Sequence, residues 1–251
     1  MAERSIPRIF SQRRRAARVA RAMIRQARPD AARFLLDAMA EETVERLGFM
    51  QVKPGVALVI GDLTGMVTAY LQTVGAEVET RCIGTFDEES PIAFEKYDLV
   101  VTIGSLDTLN DVPGALLILN AAMKPGGLLL AVFSGAGSLT TLKAAMMAAD
   151  GERPAARIHP QIDARGGADL LARANFRSQV ADSFTLSVSY GTLQRLIDDL
   201  RDQGMGSALA SHSPSLTASH RALAEKAFAD LGENGRTLES FEIVTLTGWK
   251  A

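Results

Sequence analysis

At 251 residues, with 47% hydrophobic and 22% charged residues, the chain is long enough to bury a core as one large or two small domains, and its balance excludes a disordered protein. A net charge of −2 gives no overall attraction to nucleic acid or an anionic membrane, and no apolar run reaches the ~18 residues of a membrane span. Cys82 is the only cysteine, which excludes an intrachain disulfide and fits a reducing, cytoplasmic setting.

The charge is uneven. Arg8, Arg13, Arg14, Arg15, Arg18, Arg21, Arg25 and Arg28 crowd the start of the chain, with alanines between them, and predict a basic helix. Arg14, Arg18, Arg21 and Arg25 fall along one stripe of it. Such a helix docks on an acidic protein partner, closes over an anionic substrate, or is a plain solvated face. Its Arg- and Ala-rich, acid-poor composition also suits an organellar transit segment, which would place the protein in the mitochondrial matrix. No aromatic residues are interleaved for base stacking, which argues against nucleic acid. A second helix is expected over residues 29–48, with Phe34, Leu35, Ala38, Met39 and Leu47 on one face. Together these form a basic N-terminal helical arm, residues 1–50, ahead of a larger domain, 51–251.

That domain opens with a buried strand over 56–60, a glycine turn over 61–65 and a helix over 66–73. A strand, a glycine turn and a helix make a cradle for a nucleotide-like ligand: glycine lets the backbone approach, and the helix N–H groups face the ligand. Residues 76–83 read as the second strand. The interval 84–96 is short for a further strand and helix, and carries the acidic run Asp87, Glu88, Glu89. Phe86 and Phe94 in it read as core packing, with the floor of a ligand pocket as the alternative. Residues 97–133 form the clearest unit: a buried β-branched strand, a loop from Gly104 to Asp111, a helix opened near Pro113, a stop at Lys124-Pro125-Gly126-Gly127, and a buried strand over 128–133. Open α/β sheets bind ligands at the carboxyl ends of their strands, where Gly104 and Ser105 lie.

Asp107 follows such a strand end. It is placed either as a general base or as a cap of the next helix together with Asn110 and Asp111. His159 precedes a proline on a loop, either exposed or meeting substrate. Ser134-Gly135-Ala136-Gly137 either lines a pocket or makes an ordinary turn. His212 and His220 lack the spacing and sulfur partners of a zinc site, so no metal is expected. Ser105 has no nucleophile elbow, which excludes hydrolase chemistry of that kind. Residues 168–175 predict a helix, 176–188 strand, 190–203 an amphipathic helix, 216–231 another, and 241–249 the last strand, with Trp249 as an edge anchor. The helical insertion spans about 190–235.

The strand–loop–helix–KPGG–strand pattern of 97–133, with Gly61 and Gly65 in the first turn, resembles the class I S-adenosylmethionine-dependent methyltransferases. The resemblance implies an α/β, doubly wound, Rossmann-like and mostly parallel sheet with an antiparallel last strand and a helical cap. It implies S-adenosylmethionine as cofactor, held by Gly61, Asp62 and Gly65 at its methionine end, by Glu79 at the ribose, and by Gly104 and Ser105 at the strand-end face. Val59 stands where the family has an acid, and Leu63 replaces the middle of three alternating glycines. The entry Ile9-Phe10-Ser11-Gln12-Arg13-Arg14-Arg15, Ile158-His159-Pro160, the run LIDDLRDQGMG at 196–206 and Gly248-Trp249-Lys250 are similar to the group containing the complex I assembly factors and the malonyl-carrier-protein methyltransferases of biotin synthesis. There the resemblance implies a protein or small-molecule substrate, and in the assembly factors arginine hydroxylation. Members of that group usually place His-Trp where this chain has Asp107-Thr108. These departures make a catalytically degenerate binding or assembly module the alternative to an enzyme.

Overall fold

The computed structural model describes residues 8–152, 155–211 and 213–251. Val56–Ile60 (β1), Glu77–Arg81 (β2), Tyr97–Ile103 (β3) and Met123–Ser134 (β4) run parallel. Phe176–Tyr190 (β5) and Thr237–Lys250 (β6) complete a six-stranded sheet of order β2-β1-β3-β4-β6-β5. β6 is antiparallel to both neighbours. The expected doubly wound, mostly parallel sheet with an antiparallel last strand is the observed architecture.

Helices cover both faces, which is why β1, β3 and β4 are apolar nearly throughout. Phe34–Phe49 (α2) and Met66–Thr73 (α3) close one face over Val59, Leu99, Leu130 and Val132. Val112–Ala122 (α4) and Ala164–Arg173 (α6) close the other over Leu58, Val100, Leu129 and Phe133. Thr140–Asp150 (α5), Leu193–Asp202 (α7) and Ala218–Asp230 (α8) form the helical cap, around a cluster with Leu35, Phe228 and Phe241. Gln12–Gln26 (α1) packs on α7 across the carboxyl ends of the strands.

Four local expectations are corrected. The second helix starts at Phe34 rather than near Pro29, because tertiary bonds fix its entry: Ala32 N–H donates to Asp202 (3.2 Å) and Leu35 N–H to Gln203 Oε1 (2.6 Å). Lys124-Pro125-Gly126-Gly127 does not end a helix. α4 stops at Ala122, and the four residues form a bulge within β4, whose register jumps from Tyr97↔Met123 to Leu99↔Leu128. Lys124 instead pairs with Asp98 at 2.9 Å. Phe94 is 72% exposed under Lys250 rather than core, whereas Phe86 does pack on the core. Residues 82–96, by contrast, hold no helix or strand beyond an isolated Ile83↔Phe86 bridge, so the sheet ends at β2 as the short interval suggested. Finally, the basic helix is not a free face: Arg15 and Arg18 are buried.

Candidate functional site

Two cavities lie at the carboxyl ends of the parallel strands. The smaller, of about 300 Å³, sits on the turn after β1 and is lined by Val59, Gly61, Asp62 and Leu63, by Thr80, Arg81 and Cys82 at the end of β2, and by Met23 and Gln26 of α1. Gly61 has φ +83°, and a Cβ there would meet Ile103 O at 2.2 Å and Ile83 Cδ1 at 2.7 Å. Only glycine fits, but the space it leaves is taken by Ile83 and the neighbouring strand rather than left open for a ligand. Gly65, with φ +72°, opens α3 into free space.

The carboxylates expected here are engaged elsewhere. Asp62 accepts from Thr64 Oγ1, Thr68 N and Thr68 Oγ1, each at 2.9 Å, so it closes the first turn of α3. Glu79 lies in the middle of β2, opposite Leu58, and does not line the cavity. Its carboxylate is held by Lys96, Tyr97 and Arg81, and the Lys96 hydrogen bond first of all draws its pKa below the ordinary value. Arg81 stands at the strand end where the resemblance implied an acid.

Gly104 (φ +62°) and Ser105 follow β3, and neither lines a cavity: a Cβ on Gly104 would meet open space, whereas Ser105 is buried against protein. Arg15, 2% exposed, reaches in from α1. It donates to both Glu88 oxygens (2.8 and 2.6 Å), to Thr108 Oγ1 (3.1 Å) and to Ser105 Oγ (2.9 Å). Ser105 Oγ donates in turn to Glu88 at 2.6 Å. Close approach of α1 depends on Gly84, where a Cβ would lie 2.4 Å from Ala16 Cα. Glu89 accepts from Asn110 N and Asp111 N, fixing the same loop. The result is a buried polar wall, and the two cavities share no lining residue.

The larger cavity, of about 440 Å³, lies between β4, α1 and the cap. Asp107 and His159, 52 positions apart in sequence, both line it, with Arg14, Arg18, Arg157 and Arg201 and an apolar wall from Leu139, Leu142, Met146, Ile197 and Leu200. Asp107 is not a cap. Asp111 caps α4 by accepting from Gly114 N at 2.9 Å, and Asn110 clasps the Phe10 backbone. Asp107 Oδ1 has no hydrogen-bond partner. Burial raises its pKa, against the opposing charges of Arg18 and Arg15. Arg18 donates to Gly206 O and Thr108 Oγ1 at 3.1 Å each, while its Nε is unpartnered, and burial lowers its pKa. Each such orphan costs about 1–3 kcal/mol.

His159 is half-buried, edge-on to Phe10 with ring centroids 5.2 Å apart. Its Nε2 accepts from Ala208 N at 2.7 Å, so the ring proton sits on Nδ1. Burial, followed by the Arg18 charge, pushes its pKa down to about 4, which keeps it neutral. Ser134 lines the same cavity and bonds Ser138, whereas Gly135 and Gly137 are pinned by Glu242. His220 bonds locally to Thr217, and His212 lies outside the described residues. Among the described residues no group of three His, Cys, Asp or Glu side chains could hold a metal, and no helix is long and apolar enough to cross a membrane. The sequence singled out neither the Arg15–Glu88 pair nor Arg157, which binds Asp150 and Pro214 O at the cavity wall.

The sequence pattern of the methyltransferase domain family matches residues 25–179, more than half of the chain. The human mitochondrial arginine-hydroxylase NDUFAF5 is 24% identical over 250 residues, covering 90% of this chain and 72% of that protein. The zebrafish (Danio rerio) protein of the same name is 26% identical over 182 residues, 70% of this chain and 56% of its own length, so the match spans little more than half of that relative. Malonyl-[acyl-carrier protein] O-methyltransferase 1 of Coxiella burnetii is 28% identical over 186 residues, 68% of this chain and 64% of that protein. A crystal structure from Bacillus halodurans C-125, provisionally designated a methyltransferase, shares the fold with a TM-score of 0.51 at 12% identity, covering 83% of this chain and 99% of that one.

Proposed function

The chain belongs to the methyltransferase domain family, and from that premise we propose that it is an S-adenosylmethionine-dependent methyltransferase-like protein that works on a ligand held in the larger cavity. The observation that carries this is the position of that cavity. It lies at the carboxyl end of β4, beside the glycine-turn cavity where the cofactor of such a domain belongs, and it gathers Asp107, His159 and Ser134. S-adenosylmethionine brings an activated methyl group on a sulfonium, so the protein's part is positioning and exclusion of water. The larger cavity suits that part: its wall is largely apolar, and neutral His159 fixes the 208 loop through Ala208.

The smaller cavity suits the shape of a nucleoside better than the charges of this cofactor. Its ammonium and ribose hydroxyls find no free carboxylate, since Asp62 and Glu79 are spent on Thr64, Thr68, Lys96 and Arg81. Gly61, Gly65, the first turn of α3 and the open face of Gly104 remain the proposed contacts, with Ser105 buried against Arg15. Cofactor affinity is therefore expected to be weak. Similarity to the NDUFAF5 and malonyl-carrier relatives supports a protein substrate in respiratory complex assembly, or a small-molecule one. Arg8, Arg13 and Arg21 are exposed and remain available for an acidic protein partner.

The polar wall favours a second reading, a catalytically degenerate fold acting as a binding or assembly module. Calorimetric titration of the full chain with S-adenosylmethionine and S-adenosylhomocysteine separates the two. Saturable binding, with micromolar dissociation corresponding to about −8 kcal/mol, supports the enzyme. Absence of heat and of thermal stabilisation at millimolar ligand leaves only the module.

A further inference from the structure

The end of the sheet away from both cavities carries an open groove of about 400 Å³ between the last turn of α2 and the β5–β6 pair. Trp249 lines it and pairs with Leu128, which pairs with Leu99 near the start of β3, whereas the two cavities sit at the carboxyl ends of the strands. Phe49, Met50, Val180 and Trp249 make the groove apolar. Phe49 is 89% exposed and Val180 46%. A contiguous apolar patch with a polar rim marks an interaction site, which single scattered residues do not. β5 has β6 as its only strand neighbour, so the groove lies beside a free sheet edge.

Charge selects the partner. Register places Arg177 on the groove side of β5: it lies directly opposite Trp249, as Val180 lies opposite Thr247. Thr247 and Trp249 are two apart on one strand and so share a face. The irregularity between Arg177 and Val180, with Ser178 at φ +49°, supplies the extra residue that brings both to that same face. On the other side of the groove stands Glu45 of α2. Glu42 and Asp182 both bind Arg46, so those charges are answered within the chain. Glu45 and Arg177 are exposed, and among the described residues neither has an ion-pair partner. The rim thus offers one free anion and one free cation on opposite sides. A strongly acidic or strongly basic partner is attracted by one and repelled by the other. A second copy of the patch, turned about a two-fold axis, is attracted by both, because each Glu45 then faces the other copy's Arg177. The same rotation sets the exposed Phe49 of each copy against the apolar groove of the other.

We propose that this groove is an isologous self-association surface: two copies of the chain pack Phe49, Val180 and Trp249 against one another and exchange Glu45–Arg177 contacts. The surface lies at the opposite end of the sheet from the two cavities and leaves both uncovered.

Sedimentation equilibrium of the full chain, at concentrations up to roughly 1 mM, tests this. The wild type should show a monomer–dimer equilibrium. Glu45→Arg and Arg177→Glu, which set like charges against each other, should each weaken the dimer at least about tenfold, and the double swap should return it to within about threefold of wild type. Phe49→Ser changes an almost fully exposed side chain, so it should weaken the dimer while the melting temperature of the monomer stays unchanged. A wild type that stays monomeric throughout, or that forms species larger than a dimer, would overturn the proposal. So would a dimer indifferent to the single swaps, or a double swap that recovers nothing. If a swapped variant does not fold, Phe49→Ser decides alone: a dimer as tight as wild type in that variant sinks the proposal.

Discussion

Three side chains, His159, Val59 and Leu63, carry chemistry that can be measured one residue at a time. His159 titrates near 6.5 in an ordinary setting and at about 4 in the fold. Between those values the unfolded chain binds a proton that the folded chain does not. Its contribution is therefore fully present above pH 6.5 and is lost as pH falls toward 4, up to about 3 kcal/mol at ~1.4 kcal/mol per unit. Urea midpoints across that range should fall less steeply in His159→Gln, which keeps an acceptor for Ala208 N–H. Parallel curves for the two proteins would mean the imidazole is already charged. Val59 and Leu63 line the smaller cavity at the positions where the resemblance implies an acid and a glycine. Leu63→Gly with Val59→Asp should tighten S-adenosylmethionine binding by about tenfold or more, near 1.4 kcal/mol. Val59 is 1% exposed, so circular dichroism must first show the double variant folded. An unchanged dissociation constant in that folded variant would refute this account of weak affinity.

At the scale of elements, α1 is the surprise. Its spacing announced a basic stripe, but spacing alone does not say what the stripe faces. Arg14 holds Leu209 O, Arg25 and Arg28 share Asp202, and Arg15 and Arg18 are buried, so most of the arm's charge is answered within the chain. Arg15 finds Glu88 across 73 positions, a pairing no local pattern announces. Breaking a buried pair by removing one partner typically costs about 3–5 kcal/mol, because the other charge is left stranded. Glu88→Gln should therefore lose roughly that much in urea unfolding. Arg15→Met with Glu88→Leu should lose clearly less than the sum of the single changes. Deleting residues 1–28 should lower the melting temperature rather than leave it unchanged. Equal melting points would return α1 to the role of a detachable arm. The elements legible in sequence were those with strong punctuation. β1 and α3 were readable to the residue, because an apolar run, Gly61 and Gly65 bound them. The end of α4 was not, because Lys-Pro-Gly-Gly serves a helix stop and a bulge equally well.

Across the whole molecule, the doubly wound order could be read because parallel strands buried on both faces leave continuous apolar runs. The site was only half legible for a complementary reason. Asp107 and His159 could each be picked out by position, but their meeting in one cavity depends on how the cap closes over β4. The buried polar wall made by α1, the 82–96 segment and the end of β3 is a property of the assembled fold alone. It also makes a prediction about the protein as a unit. A methyl donor and its acceptor must share a boundary, and here the two compartments share no lining residue, while the buried Arg15, Glu88, Ser105 and Thr108 line neither. If the wall stays closed, the two cavities fill independently. The affinity for S-adenosylmethionine should then change by less than about twofold when the larger cavity is saturated with a small apolar probe such as hexanol, and by reciprocity the reverse should hold. In Arg15→Met with Glu88→Leu, where the wall loses its ion pair, coupling should rise. A wild-type coupling of about fivefold or more, comparable to typical allosteric linkage, would show that ligand binding itself parts the wall. The resting separation would then be a closed state of a working transferase rather than a permanent partition.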